Sequence, residues 1–484
     1  MAKKLSDILT KFSCEIISGS TDIVISGISF DSRKTKNGDL FIAVKGTNTD
    51  GHKFVKDAVK NGAIAVLAKN IENNNFPITL LKTEDTSSAL ALASAEFYDN
   101  PSEKLKLIGV TGTNGKTTVA TLLYRLFLKA GYKVGLISTV KNYINEKETE
   151  ASHTTPDALT FNRLLKEMVD AECEYCFAEI SSHGIHQKRI TALKFAGGIF
   201  TNITHDHLDY HKTFSEYLKV KKQFFDNLPK EAFALINIDD KNGKVMLQNT
   251  PARKYTYGLK NFSDFKAKIL EMHLDGTLMS VNETEFWTLL TGKFNVYNIT
   301  AVYGTAILLG ENPENVLQII SGILPVKGRF ETLKINEITV IIDYAHTPDA
   351  IENVLKTINE LKKDNQKLIT IAGAGGNRDK SKRPEMAKTA LKGSDKLILT
   401  SDNPRNENPE QIIEDMFEGI KETSQKNVLK ITDRKEAIKL AVMLAQKGDI
   451  VLITGKGHEN YQIIKEKKYH FDDKEIAEHF LKTI

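Results

Sequence analysis

Gly112-Thr113-Asn114-Gly115-Lys116-Thr117-Thr118 puts two glycines, a lysine and hydroxyl side chains in one short stretch. Glycine-rich backbone can turn its N–H groups towards an anion, lysine adds a mobile positive charge, and a threonine hydroxyl is a ligand for a hard cation. That combination suits the phosphates of a nucleoside triphosphate with Mg²⁺. The stretch is a shortened phosphate loop, because Val110 stands where the longer pattern has its first glycine. Glu179 ends an apolar run and offers a carboxylate to the same metal. Farther on, Asp402-Asn403-Pro404-Arg405 sets an arginine fork, which grips a carboxylate bidentately, behind a proline that restricts the backbone.

These residues need elements to hold them. A strand over 104–110 and a helix over 117–129 flank the phosphate loop, which is the context it requires. Further strands are expected at 133–138, 175–180, 198–202 and 233–237, and alternation with helices implies a mainly parallel sheet covered on both faces. A second series gives strands at 338–342, 367–372, 396–400 and 449–454. Each runs into polar or glycine-rich residues: Asp343-Tyr-Ala-His346, Gly373 to Arg378, Asp402 to Arg405, and Gly455 to Glu459. Ligands bind at the carboxyl ends of parallel strands, so the four loops are expected to line one rim. Ahead of the phosphate loop, strands at 23–30, 39–44 and 63–68, a helix over 54–61 and a linker at 100–102 are expected.

The chain has 484 residues, 41% hydrophobic and 26% charged, with a net charge of +4. Such length implies several domains, and so small a charge gives no reason to expect a nucleic-acid partner. No leader peptide and no apolar run of membrane-spanning length are read, so a cytoplasmic protein without membrane insertion is expected. Cys173 and Cys176 have redox spacing but run into a strand, which makes them core cysteines. Thr204 to His211 misses by one residue the histidine series of metallo-β-lactamase-like hydrolases, since Tyr210 holds the last histidine's place. Arg378 occupies the third glycine position of a dinucleotide fingerprint, which argues against an NAD site.

Several stretches in order resemble the motif series of the Mur ligases, the ATP-dependent amide-forming enzymes of peptidoglycan precursor synthesis. They are Thr111 to Thr118, Glu179-Ile-Ser-Ser-His183, Asp206 to His211, Gly292 to Asn298, Gly328-Arg-Phe-Glu331 and Asp343 to His346. The resemblance implies an α/β protein of three domains. Residues 1–102 would bind the UDP end of a substrate, 103–327 would form a P-loop parallel-sheet ATPase, and 328–484 a Rossmann-like domain for an amino acid. It implies that Gly112 to Thr118, Asn295, Asn298, Arg329 and Asp343 bind ATP. Thr117, Glu179 and His207 would hold Mg²⁺, two ions in all. Tyr217-Leu-Lys-Val-Lys221 matches the family's carboxylated-lysine pattern, making Lys221, as a CO₂-derived carbamate, a further ligand. Lys116, Glu179, His207 and Lys221 are thus the implied catalytic residues, and a monomer is expected.

Within the family the resemblance is to the enzymes that add the third amino acid. Phe30, Ser32, Thr47, Asn48 and Thr49 match their uridine region, and His153, Thr154, Thr155, Ser181, Gln187 and Arg189 their muramoyl-dipeptide site. The implied substrates are ATP, UDP-MurNAc-L-Ala-D-Glu and meso-2,6-diaminopimelate, the last met by Arg378, Asp402, Asn403, Pro404, Arg405, Gly455 and Glu459. Diaminopimelate is lysine with a second carboxylate at its far end, so a cation such as Arg405 is the discriminating group. A lysine-adding relative and, more remotely, a folylpolyglutamate-synthase-like ligase remain alternatives.

Overall fold

The computed structural model describes residues 2–46, 49–70, 76–151, 153–204, 206 and 208–483, with the side chains of Leu208 and Asp209 left aside. Three main sheets follow one another along the chain. The first has five strands, ordered Glu15–Ser18, Thr79–Lys82, Ala63–Ala68, Asp39–Ile42 and Gly27–Ser29, parallel except at the first pair. The expected strand over 23–30 is divided into Val24–Ile25 and Gly27–Ser29, and only the second part joins this sheet. The stretch expected as a linker does join the first sheet's domain to strand Lys106–Thr111, and it takes the form of a packed 3-10 turn, Pro101–Glu103. Pro101 and Ser102 are buried there, and Ser102 Oγ accepts from Lys194 N at 3.1 Å. Its proline signalled a break in regular structure but carried no information about what packs on it.

The central sheet has eleven strands. Its middle is parallel, with Lys106–Thr111 between Tyr175–Glu179 and Gly197–Phe200. Both edges are antiparallel: Lys141–Ile144 with Lys147–Glu150 at one side, and Phe265–His273, Gly276–Val281 and Thr284–Thr288 at the other. Helix Lys116–Lys129 starts from Gly115 at φ 86°, a conformation glycine adopts without strain. Helix Phe214–Asp226 starts at Thr213, whose side chain accepts from Glu216 N. It buries Tyr217, Val220, Lys221, Phe224 and Phe225 along one stripe, while Lys219 is exposed and Lys222 pairs with Asp226 at 2.6 Å. Helical spacing from Tyr217 thus carries Lys221, alone of the three lysines, into the interior.

The third sheet has six strands, ordered Glu331–Ile335, Ile338–Asp343, Ile450–Thr454, Leu368–Ala372, Lys396–Thr400 and Val428–Ile431. All but the first are parallel, so their carboxyl ends share one edge. A bidentate pair inside this domain, Arg434 with Asp473 at 2.8 and 2.7 Å, is wholly buried. Arg434 also donates to Thr454 O at 2.9 Å, which ties the end of one rim strand to helix Asp473–Thr483.

Candidate active site

A single cavity of about 660 Å³ is lined both by Thr113 to Thr118 and by Arg378, Asp402, Asn403, Arg405, Gly455 and Glu459. The rim of the third sheet therefore faces the phosphate loop. Contacts that cross between the two domains include Lys382 Nζ with Asp206 Oδ1 at 2.6 Å, and Asn114 Nδ2, which donates to Asp349 Oδ2 at 3.0 Å.

The phosphate loop is held from below. Thr113 N donates to Asn202 O at 2.8 Å and Asn114 N to Asn202 Oδ1 at 3.0 Å. A Cβ at Gly112 (φ 149°) would stand 1.9 Å from Thr201 Oγ1, so no other residue fits that approach. Lys116 Nζ donates to Gly112 O at 2.9 Å and to Thr113 O at 2.8 Å, and Lys221 Nζ donates to the same Gly112 O at 2.9 Å. Burial, and after it the charge of Lys116, push the Lys221 ammonium well below the ordinary lysine range.

Glu179 is wholly buried and accepts from the Thr117 hydroxyl (3.0 Å), the Thr139 hydroxyl (3.1 Å) and Thr139 N (2.8 Å). Arg329 Nη2 donates to Thr117 Oγ1 at 3.2 Å, and its guanidinium lies 4.4 Å from the Tyr344 ring centroid. Its Nε is buried with no hydrogen-bond partner, a donor suited to an anion. Among the described residues no three His, Cys, Asp or Glu side chains form a metal site. The implied set explains this: His207 lies outside the described residues, leaving one carboxylate, one hydroxyl and a lysine. The donors present still fit a hard cation, because Glu179 and Thr117 are oxygen ligands side by side.

Other expected residues are placed differently. Asn298 lines the cavity, but Asn295 does not; its amide donates to Thr291 O at 2.8 Å and its oxygen accepts from Asn298 at 3.1 Å. Asp343 lines the cavity with its two oxygens taken by Phe330 N and Ala345 N, each at 2.7 Å. Burial pushes its carboxyl above the usual range despite Arg329 nearby. Of the dipeptide residues only Thr154 lines the cavity, its hydroxyl accepting from Thr139 at 3.0 Å. Arg189 donates to Thr155 O and to Gln187 Oε1, both at 2.6 Å, so the two residues expected to meet substrate directly also brace each other. Ser181 caps a short helix, accepting from Gly184 N, and His153 stands near Arg189, where burial first and that charge second lower its imidazole. Phe30, Ser32 and Thr49 belong to the first domain and do not line this cavity, while Thr47 and Asn48 lie outside the described residues.

At the opposite wall, Arg405 takes φ 51° and donates to Gly376 O at 2.8 Å. A Cβ at Gly376 would meet Pro404 O at 1.9 Å, which is how two rim loops pack so closely. Asn403, expected to donate to ligand beside Arg405, spends one donor on Glu459 Oε2 at 2.7 Å. Two supports went unread in the sequence. The hairpin Tyr461–Ile464 and Lys467–His470 holds the arginine's backbone, with Arg405 N donating to Ile463 O at 3.0 Å. Buried Arg383 grips Glu407 at 3.0 Å and Asp415 at 2.7 Å behind the same loop. Neither has a local signature, although a Lys-Arg-Pro helix start after Arg378 hints that the region is charged inside.

A phosphate loop at the end of a parallel strand, with a second α/β domain presenting forked cations across one cavity, defines a multidomain nucleotide-dependent enzyme. Family models agree: the catalytic domain of the Mur ligase family matches residues 24–101, the Mur ligase middle domain 110–306 and the Mur ligase glutamate ligase domain 328–457. The chain belongs to the Mur ligase family. It is 53% identical over 484 residues, 99% of each chain, to the UDP-N-acetylmuramoyl-L-alanyl-D-glutamate--2,6-diaminopimelate ligase of Cytophaga hutchinsonii. It is 54% identical over 475 residues, 98% of each, to the enzyme of the same name from Bacteroides fragilis. A solved structure of a ligase so named superposes with a TM-score of 0.71 at 32% identity, covering 100% of this chain and 99% of that one. The MurF ligase of Thermotoga maritima in complex with ADP shares the fold at 21% identity and a TM-score of 0.63, covering 94% of this chain and 98% of that one.

Proposed function

We propose that this protein is the ATP-dependent ligase that joins meso-2,6-diaminopimelate to the D-glutamyl γ-carboxylate of UDP-MurNAc-L-Ala-D-Glu, in peptidoglycan precursor synthesis. Full-length identity above half to enzymes of that name supports the reading. The observation that carries it is the shared cavity, with the phosphate loop on one wall and Arg378, Arg405 and Glu459 on the other.

The γ-carboxylate oxygen attacks the ATP γ-phosphorus, the bond to ADP breaks, and an acyl phosphate forms. The neutral amine of diaminopimelate then attacks the acyl carbon; phosphate leaves, the nitrogen gives up its proton, and an amide results. Lys116 offsets charge on the transferring phosphoryl group, and Arg329 offers its buried Nε to the same anion. Thr117, Glu179, His207 and carboxylated Lys221 would hold Mg²⁺, whose charge when bound adds to that of Lys116. Deep burial favours the neutral Lys221 amine, which adds CO₂ and releases a proton to become an anion. Arg405 takes the far carboxylate of the donor, Glu459 its far ammonium and Arg378 the near carboxylate. Lys382 and Asn114 hold the rim over the phosphate loop and so keep water from the acyl phosphate. The reaction belongs to the cytoplasm.

Phosphate release and amide formation are to be measured with UDP-MurNAc-L-Ala-D-Glu, ATP and either meso-diaminopimelate or L-lysine. Turnover that needs all three substrates and prefers diaminopimelate at least a hundredfold is expected. A preference for lysine would overturn the donor assignment.

A further inference from the structure

Lys456 has no part in the roles assigned above. It lies just beyond strand Ile450–Thr454, and its side chain is fully buried at 0% exposure. Its Nζ stands 3.3 Å from Asn403 Oδ1, 3.4 Å from Glu459 Oε2 and 5.6 Å from the Tyr461 ring centroid. Both hydrogen bonds are long, so the residue acts chiefly through its charge. A lysine is not buried without cost, and this one is spent on two residues of the donor wall.

Those two residues are themselves joined. Asn403 Nδ2 donates to Glu459 Oε2 at 2.7 Å, and Asn403 Oδ1 also accepts from Ile463 N at 2.9 Å. Lys456 and Asn403 both address Oε2, which leaves Oε1 of Glu459 to a ligand in the cavity it lines. Burial first, and the neighbouring Asp402 second, push the Glu459 carboxyl upward, while Lys456 and then Asn403 pull it down. Of the other groups that face it, Arg434 is already matched by Asp473, and Tyr344 and Tyr461 bring no positive charge.

We infer that Lys456 is a positioning residue for donor selection: a buried cation that holds Glu459 as a carboxylate and locks Asn403, so that Glu459 receives the donor's distal ammonium while Arg405 receives its carboxylate. This rests on the donor site proposed above.

The test is Lys456→Met in steady-state assays with two donors. With diaminopimelate, KM rises about 10- to 100-fold, the worth of one charged hydrogen bond. The KM values for ATP and the UDP-linked acceptor stay put, and kcat moves by less than about threefold, the spread of a near-neutral change. The acid limb of kcat/KM for the donor moves to higher pH, because Glu459 protonates earlier. With 2-aminopimelate, which keeps the far carboxylate but lacks the ammonium, mutant and wild type perform alike. The double variant with Glu459→Gln loses no more than Glu459→Gln alone. Additive losses, an unmoved acid limb, or an equal loss on 2-aminopimelate would each overturn the inference. Should Lys456→Met melt below the assay temperature, Lys456→Gln, uncharged but still a donor to Asn403, carries the same measurements. If the wild type uses lysine in place of diaminopimelate, the functional reading fails, and the Lys456 test runs unchanged with lysine, which also bears the distal ammonium.

Discussion

The two walls of the cavity both carry buried or half-buried cations, but they balance them in opposite ways. At the phosphate loop Lys116 and Lys221 donate to one carbonyl, Gly112 O, each at 2.9 Å. Arg329 adds a guanidinium there, with one N–H unsatisfied. At the rim, Asp402 and Glu459 stand among Arg405, Arg378 and Lys456. The first wall sets Lys116 and Arg329 beside the Thr117–Glu179 pair, and suits a polyanion that brings a hard cation with it. The second is mixed and suits a zwitterion with both signs at its far end. One wall thus prepares for a nucleoside triphosphate and the other for a diamino diacid, through the charged groups each sets towards the cavity.

If the walls are this distinct, their variants should separate. Lys116→Met is expected to lower kcat about 10³-fold, the loss of a transition-state cation, with little change in the donor's KM. A matching rise in that KM would show the walls to be one electrostatic unit. Arg405→Ala should lower kcat/KM for diaminopimelate by roughly 2–4 kcal/mol and erase its preference over lysine, leaving the ATP KM unchanged. Competition between the two donors reads this directly. Lys382→Met, which removes the ion pair to Asp206 across the walls, is expected to raise phosphate released per amide formed about threefold to tenfold. A ratio fixed at one would mean that water is excluded by other contacts.

The smallest effect concerns the scaffold behind the rim. Arg383 holds the Glu407 carboxyl down at about 2, against an ordinary 4.5. A depressed folded-state value means the contribution is present above pH 4.5 and fades as pH falls from there towards 2. Glu407→Gln should therefore flatten the fall of Tm with pH in that window and leave it unchanged at pH 7 to 8 relative to its own plateau. Thermal melts of both proteins across the range measure it.

Much of the architecture could be read from local pattern. Strand 396–400 and strand 233–237 lie where periodicity placed them, as Lys396–Thr400 and Phe233–Asn237. The four polar loops share one rim because their strands are parallel. What escaped reading was long-range. The edge hairpin of Lys141–Ile144 with Lys147–Glu150 is short, and its second strand is mostly exposed, so its alternation is weak. The linker at Pro101–Glu103 was legible, but its packing was not, because proline reports on backbone and not on neighbours.

The sequence by itself determined the phosphate loop, which follows from spacing within a single strand, turn and helix start, and the family pattern marked Lys221. That Lys221 alone of its three neighbouring lysines is buried came from the packing of helix Phe214–Asp226. Only the tertiary structure decided how the rim is built. Lys456 against Asn403 and Glu459, Arg383 against Glu407, and the 461–470 hairpin against Arg405 join residues from separate strands. Buried charges choose partners by distance in space, and that distance is set by packing of the whole sheet.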